Sequence, residues 1–275
     1  MAAVAVPGGF VPTAELWGAE EIDVFSLLES GHFYELLDLW NGLSPVEVEQ
    51  LSGRAIPRER VSYGPLYRRP RKIWGIGLNY AEHAGDLSEK PPADGPASFM
   101  KPDTTIIGPD DEIRLPHQSE RVTGEAELGI VIGREAKDVP VESAPLVVAG
   151  LTTVLDMTAE DILKKNPRYL TRAKSFDTFF SFGPELVTLD EVEEIGGLQV
   201  ATVLNGEVRR ENLVSNMTYG PWELVSFHSQ VLTLVPGDVI STGTPGAMVL
   251  RDGDVAECRI TGFEPLSNPV GQTSG

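Results

Sequence analysis

Two glutamates one residue apart, Glu125 and Glu127, open the apolar run L-G-I-V-I-G over residues 128–133. That run is β-branched and bounded by glycine, so it reads as a strand. A second apolar run, A-P-L-V-V-A-G-L-T-T-V-L, leads into Asp156. In a strand, residues i and i+2 share a face, about 6–7 Å apart. Glu125 and Glu127 therefore point the same way at the mouth of their strand. Asp156, at the end of the next strand, supplies a third oxygen. Like charges that close repel unless a cation sits between them. Three hard carboxylates with no nearby His or Cys suit Mg2+, Mn2+ or Ca2+ rather than zinc. Taken alone, the same residues fit a solvated acidic strand end better than a metal site, so their surroundings decide.

The 275 residues allow one large domain, or one domain with a small appendage, with ample core. The N-terminal run M-A-A-V-A-V-P-G-G-F has no basic region and is broken by Pro7, which argues against a signal peptide. No apolar run is long enough to span a membrane. The lone cysteine, Cys258, excludes an intrachain disulfide and a cysteine metal cluster, and suits a reducing cytoplasm. Net charge is −19, from 41 acidic and 22 basic residues. That argues against nucleic acid or an anionic membrane as partner. It also requires a local cationic site for any anionic substrate.

Residues 1–70 read as a small N-terminal domain and linker, and residues 71–275 as the main domain. Residues 20–40 carry two short helical patterns separated at Gly31, and Ser44-Pro45 caps a further helix. A basic, proline-punctuated stretch follows. K-I-W-G-I-G-L-N-Y reads as a strand ending in a turn; its G-x-G lacks the third glycine of a dinucleotide fingerprint. A-E-H-A-G-D starts a short helix, and the Pro/Gly-rich remainder to residue 96 has the composition of a lid. Beyond Ser98 the texture is mostly β, with helical patches at 158–165 and 222–231 and a hairpin signal at Asn205-Gly206. The expected class is mostly β with a few helices, α+β.

Nine segments in order, among them G-L-N-Y-A-E-H, F-M-K-P, G-E-A-E-L-G-I-V-I-G, L-D-M-T-A-E-D, A-K-S-F-D-T-F, L-N-G-E and P-G-D-V-I-S-T-G-T-P-G, make residues 70–270 resemble the fumarylacetoacetate hydrolase family. The resemblance implies a mixed β-roll and a homodimer. It implies a divalent metal, Mg2+ or Mn2+, on Glu125, Glu127 and Asp156, the residues already reached from the strand pattern. It implies a 2-oxo acid substrate that is hydrolysed, decarboxylated, isomerised or hydrated. Fold does not fix the reaction.

A 2-oxo acid offers a carboxylate and a ketone oxygen to a cation that acts as Lewis acid and stabilises an enolate. The expected reaction is hydrolysis of the carbon–carbon bond of an acylpyruvate. His83, in the family's N-Y-x-x-H position, is the candidate general base, and its ordinary pKa near 6.5 suits that work. Asp86, three residues on, would orient it, with Glu89 as the substitute. Lys174 in A-K-S-F-D is the candidate substrate cation in a chain with only seven lysines, and Lys101 in F-M-K-P is similarly placed in the family. Thr244 in S-T-G-T-P-G is a candidate donor to the substrate carboxylate, beside Gly243; Gly243 and Pro245 also suit a tight turn. One departure stands out. Where many relatives carry a substrate-contacting Arg and Gln, this chain has Glu160 and Leu163. Two alternatives follow: a decarboxylase, or an isomerase or hydratase of aromatic-catabolic intermediates; and a non-catalytic 2-oxo acid binding protein.

Overall fold

The computed structural model describes residues 1–17, 22–86 and 92–272. The chain divides into two compact units, Met1–Tyr63 and Gly64–Gly275.

In the first unit, β1 (Ala3–Val6) turns through Pro7 and Gly8 into β2 (Gly9–Pro12), and β3 (Ile56–Pro57) pairs with β2. The helices are α1 (Thr13–Trp17), α2 (Val24–Ser30), α3 (His32–Asn41) and α4 (Pro45–Ser52). Gly31, at φ +81°, separates α2 from α3 in the left-handed conformation that favours glycine. Ser44 and Glu47 form a capping box at the start of α4, with Pro45 at its first position. The hairpin is not what the sequence predicts. V-P-G-G puts its turn residues in the middle of one short apolar run, so each half is too brief to read as a strand.

The second unit contains β4 (Ile73–Gly77), α5 (Ala81–Asp86), β5 (Ala97–Lys101), β6 (Ile106–Ile107), β7 (Ile113–Leu115), β8 (Val122–Ile132), β9 (Val148–Ala159), α6 (Glu160–Lys165), α7 (Leu170–Lys174), β10 (Phe180–Phe182), β11 (Gln199–Leu204), β12 (Glu207–Leu213), α8 (Pro221–Val231), β13 (Val239–Ser241), β14 (Ala247–Leu250), β15 (Val255–Ile260) and β16 (Leu266–Gln272). An eight-stranded sheet runs β5-β4-β13-β8-β9-β10-β6, with β14 also paired to β8. A five-stranded sheet runs β12-β11-β15-β16-β7. Both mix orientations: β4/β13, β6/β10 and β7/β16 are parallel, the other pairs antiparallel. The fold is mostly β with a few helices, a mixed β-roll.

The long antiparallel pair β8/β9 organises this unit, in register from Val122↔Ala159 to Val131↔Gly150. Alternate residues of β8, Ala126, Leu128, Ile130 and Ile132, are fully buried in the main core, with Leu151, Leu155 and Met157 of β9 and Val200, Cys258 and Ile260 of the second sheet. Burying each such Leu or Ile stabilises the fold by about 1.5–3 kcal/mol. Strand alternation then turns Glu125, Glu127 and Asp156 to the opposite face.

Two readings of the sequence are corrected here. β8 starts at Val122, so Glu125 and Glu127 lie within the strand rather than at its mouth. Residues 158–165 are not one helix: β9 runs to Ala159 and the helix begins at Glu160. Thr158, β-branched and buried, pairs with Thr123 across the ladder, and that pairing overrides the helical spacing. The Asn205-Gly206 turn is as expected, with both residues at positive φ (53° and 80°) between β11 and β12.

His228 on α8 is fully buried, its ring 4.7 Å from that of Trp74, and its Nδ1 lies 2.7 Å from the Leu224 carbonyl. That bond requires the proton on Nδ1. Burial holds the imidazole pKa below its ordinary value. The unfolded chain therefore binds a proton that the folded chain resists, and stability falls as pH drops below about 6.5. His228→Phe, which keeps a ring but cannot titrate, is expected to remove part of the loss in unfolding free energy between pH 7.5 and 5.5. An identical pH dependence in the variant would contradict this.

Candidate active site

One face of the large sheet, the face turned away from the main core, carries the site. Glu125 and Asp156 are direct cross-strand partners on β8 and β9, and Glu127 lies two residues along β8 on the same side. One carboxylate oxygen from each of the three lies within 4.8 Å of the other two. Glu127 and Asp156 are buried, while the Glu125 side chain keeps 12% of its surface exposed. The neighbouring strands supply their partners. Ser241 at the end of β13 donates its hydroxyl to Glu127 at 2.6 Å, and the Gly243 backbone N–H donates to the same oxygen at 2.7 Å.

Two buried ammonium groups answer the carboxylates. Lys101, ending β5, donates to Asp156 Oδ1 at 2.5 Å and to the Met157 carbonyl at 3.3 Å. Lys174, ending α7, donates to Asp156 Oδ2 and Glu125 Oε2, both at 2.7 Å. Its Nζ also stands 4.8 Å from the centre of the Phe99 ring. Phe99 lies over Gly75, where even a methyl group would come within 2.2 Å of the ring. Gly75 therefore makes room for the ring that backs Lys174.

The charges settle unequally. Burial, then the Asp156 carboxylate, pushes the Glu127 carboxyl up to about 8, against the Lys174 ammonium and the Ser241 hydroxyl. Burial works on Asp156 in the same direction, but Lys101 and Lys174 overcome it and hold that carboxyl below its usual range. Burial brings Lys101 down to about 8. Lys174 is buried too, yet Asp156 and Glu125 raise its pKa above the ordinary lysine value. Lys174 is thus the firmly charged member of the pair. Three hard oxygen donors, converging and incompletely balanced, fit a divalent cation of the Mg2+, Mn2+ or Ca2+ kind.

Gly243 adopts φ +94°, and a Cβ there would lie 2.8 Å from Asn79 Cβ and 3.0 Å from the Ile76 carbonyl. Asn79 is itself fixed, donating to the Tyr219 and Thr242 carbonyls and accepting from Tyr219 N–H. Gly243→Ala is expected to destabilise by about 1–3 kcal/mol and to weaken the Glu127 contact. Gly253→Ala is the control: its φ is +85° but nothing lies within 4 Å of the added methyl. Equal effects of the two in denaturant unfolding would contradict the clash. Thr244 is buried, its hydroxyl donating to the Gly246 carbonyl and accepting the Gly246 N–H, both at 3.1 Å.

Helix α5 bears His83 and Asp86, whose side chains lie outside the described residues, as does all of Glu89. Its Glu82 accepts a hydrogen bond from Asn212 of β12 at 3.2 Å. Glu160 accepts from Arg121 and pairs with Lys164 at 3.0 Å. Although burial opposes it, these cations keep the Glu160 carboxyl below its usual range. The negative charge introduced there is compensated locally. Leu163 packs against the apolar core. Sequence reading missed Ser241 and Thr202, whose signal is a polar residue in an otherwise apolar buried strand (V-I-S and Q-V-A-T-V-L).

Residues 72–271 match the family described as fumarylacetoacetate (FAA) hydrolase C-terminal. The chain is 35% identical to the human mitochondrial oxaloacetate tautomerase over 224 residues, 78% of this chain and 71% of that one. The crystal structure of a 5-carboxymethyl-2-hydroxymuconate delta-isomerase from Mycobacterium smegmatis is similar, with TM-score 0.72 and 37% identity, covering 80% of this chain and 86% of that one. Fumarylpyruvate hydrolase from Pseudomonas aeruginosa, solved with Mn2+ and pyruvate, is similar with TM-score 0.69 and 28% identity, covering 74% and 90%.

Proposed function

Because the chain belongs to the fumarylacetoacetate hydrolase family, we propose that it is a divalent-metal-dependent enzyme that hydrolyses the carbon–carbon bond of an acylpyruvate-like 2-oxo acid. The observation that carries this reading is the convergence of Glu125, Glu127 and Asp156 under the Lys174 ammonium. Those three carboxylates would hold Mg2+ or Mn2+, whose chemistry when bound is Lewis-acid polarisation of the ketone oxygen of the 2-oxo acid. The Mn2+ and pyruvate of the Pseudomonas hydrolase support the pairing of cation and 2-oxo acid.

The chain's own residues supply the rest. Lys174 holds a positive charge beside the carboxylates and stabilises negative charge that develops on the pyruvate fragment as the bond breaks. Its two carboxylate partners and the Phe99 ring fix its position. In this reading His83 removes a proton from the water that attacks the C4 carbonyl, and Asp86 orients the imidazole. In this reading the turn bearing Gly243 and Thr244 lies beside the substrate carboxylate: the Gly243 N–H stays on Glu127, and the Thr244 hydroxyl exchanges the Gly246 carbonyl for the substrate. Lys101 holds Asp156 from the side opposite Lys174. A homodimer and a cytoplasmic location belong to the same proposal, supported by the family resemblance and by the lone buried thiol of Cys258.

A second reading is isomerisation or tautomerisation of a 2-oxo or 2-hydroxy-dienoic acid, as in aromatic catabolism. The names of the human and mycobacterial relatives favour it. It needs the same base but no attacking water. Turnover of acetylpyruvate, fumarylpyruvate, oxaloacetate and an unsaturated hydroxy-dioate in Mg2+ and in EDTA tests both. Pyruvate release from an acylpyruvate, lost in EDTA, is the expected result. Enol–keto or double-bond shifts without pyruvate release would replace hydrolysis by the second reading. No turnover of any member would contradict both and favour a binding protein.

A further inference from the structure

We infer that Tyr219 is a positioning residue for the proposed reaction: it holds both ends of the segment whose helix α5 carries the candidate base His83. This rests on the 2-oxo acid reading above, with His83 as its base.

The segment leaves β4 at Gly77 and re-enters the sheet at Ala97 of β5, the cross-strand partner of Gly77. At the outgoing end, Asn79 Oδ1 accepts the Tyr219 N–H and Asn79 Nδ2 donates to the Tyr219 carbonyl, both at 2.9 Å. The Asn79 carbonyl accepts the Thr218 N–H at 2.7 Å. Helix α5 starts just beyond, at Ala81. At the returning end, the Tyr219 hydroxyl donates to the Pro92 carbonyl at 2.7 Å and accepts the Gly95 N–H at 3.0 Å. One residue therefore grips the outgoing end with its main chain and the returning end with its side chain.

The grip is mounted on a fixed element. Tyr219 leads into Gly220, the N-cap of α8, whose N–H donates to Glu223 at 2.7 Å. Leu224 and Val225 anchor α8 in the main core. Phe227 of the same helix lies against Gly95, where an added methyl would come within 3.0 Å of the ring. The grip is also registered to the carboxylates. Asn79 Nδ2 donates at 2.8 Å to the carbonyl of Thr242, which stands between Ser241 and Gly243, the two donors to Glu127. The start of α5 and the placement of Glu127 thus share one frame.

A general base must come within about 2.6–3.2 Å of the proton it removes, and a misplacement of about 1 Å can cost roughly 100-fold in rate. Helix α5 has six residues, too few to hold a place by itself, so its ends decide where it stands. Its 3.2 Å bond from Asn212 to Glu82 is exposed.

Tyr219→Phe keeps the ring and the main-chain bonds to Asn79 and removes only the hydroxyl. The test measures kcat and KM on whichever 2-oxo acid of the panel wild type turns over, Mn2+ affinity by calorimetry, and amide hydrogen exchange. Loss of the two hydroxyl bonds is expected to lower kcat by roughly 5- to 30-fold. KM and Mn2+ affinity are expected to stay within about 2-fold, because the carboxylate cluster is untouched. Amides of α5 are expected to exchange faster, while those of β8 and β9 keep their rates. Gly95→Ala, which presses the returning end against Phe227 at φ +131°, is expected to give the same pattern. A kcat within about 2-fold of wild type in Tyr219→Phe overturns the inference and leaves the 2-oxo acid reading standing. So does a loss of kcat with unchanged α5 exchange, or with exchange quickened throughout β8 and β9. A wild type that turns over no member of the panel overturns that reading and this inference with it.

Discussion

Replacing Asp156 by Ala is expected to lower unfolding free energy by about 3–5 kcal/mol, and to do so in EDTA as well as in Mg2+. Asp156 is fully buried, with the Lys101 ammonium on one oxygen and the Lys174 ammonium on the other. Removing it leaves two positive charges inside the protein with one counter-charge fewer. Because the same carboxylate belongs to the three-oxygen cluster, added Mg2+ cannot repair the loss. The origin of the effect is open to a double-mutant cycle. Lys101→Met beside Asp156→Asn removes both charges, and the pair is expected to cost less than the sum of the single changes by about 1–3 kcal/mol. Additive costs, or a loss below about 1 kcal/mol for Asp156→Ala, would contradict the ion-pair account.

Lys174→Met is expected to separate stability from activity. Its ammonium bridges Glu125 and Asp156, so without a cation the variant leaves Lys101 alone among three carboxylates and is destabilised. A divalent cation can supply the missing charge, so Mg2+ is expected to restore much of the stability. It cannot supply a donor at the position of Nζ, so kcat is expected to remain about 10²–10³-fold down. Thermal unfolding in Mg2+ and EDTA, beside steady-state kinetics, reads both quantities. Turnover within 10-fold of wild type would remove Lys174 from the reaction.

The features that sequence reading captured are local ones. Glu125 and Glu127 share a face because strand period requires it, and Leu128, Ile130 and Ile132 announce the strand through their branching and apolarity. Gly31, Ser44-Pro45 and Asn205-Gly206 each carry their own turn or cap chemistry within a few residues. What was not legible depends on pairing across long separations. Glu127 is held by Ser241 and the Gly243 N–H, more than 110 residues away. Nothing near Thr158 signals that Thr123 will keep it in a strand, so its helical spacing misleads. Glu160 looked like a charge reversal beside an acidic site because Arg121, 39 residues earlier, is not visible as its partner until the strands are paired.

Binding of Mn2+ by isothermal titration calorimetry, to wild type and to Glu127→Gln, tests the central claim most directly. Glu127 is buried and raised to about 8, held by two donors and within 4.8 Å of its two acidic partners. If the cluster is a cation site, wild type binds one Mn2+ per chain near neutral pH and releases protons as it does so. Affinity in Glu127→Gln is then expected to fall by at least about 10-fold, as for loss of a charged ligand. Absence of Mn2+ binding in wild type, or equal affinity in the two proteins, would contradict a metal-dependent active site on Glu125, Glu127 and Asp156.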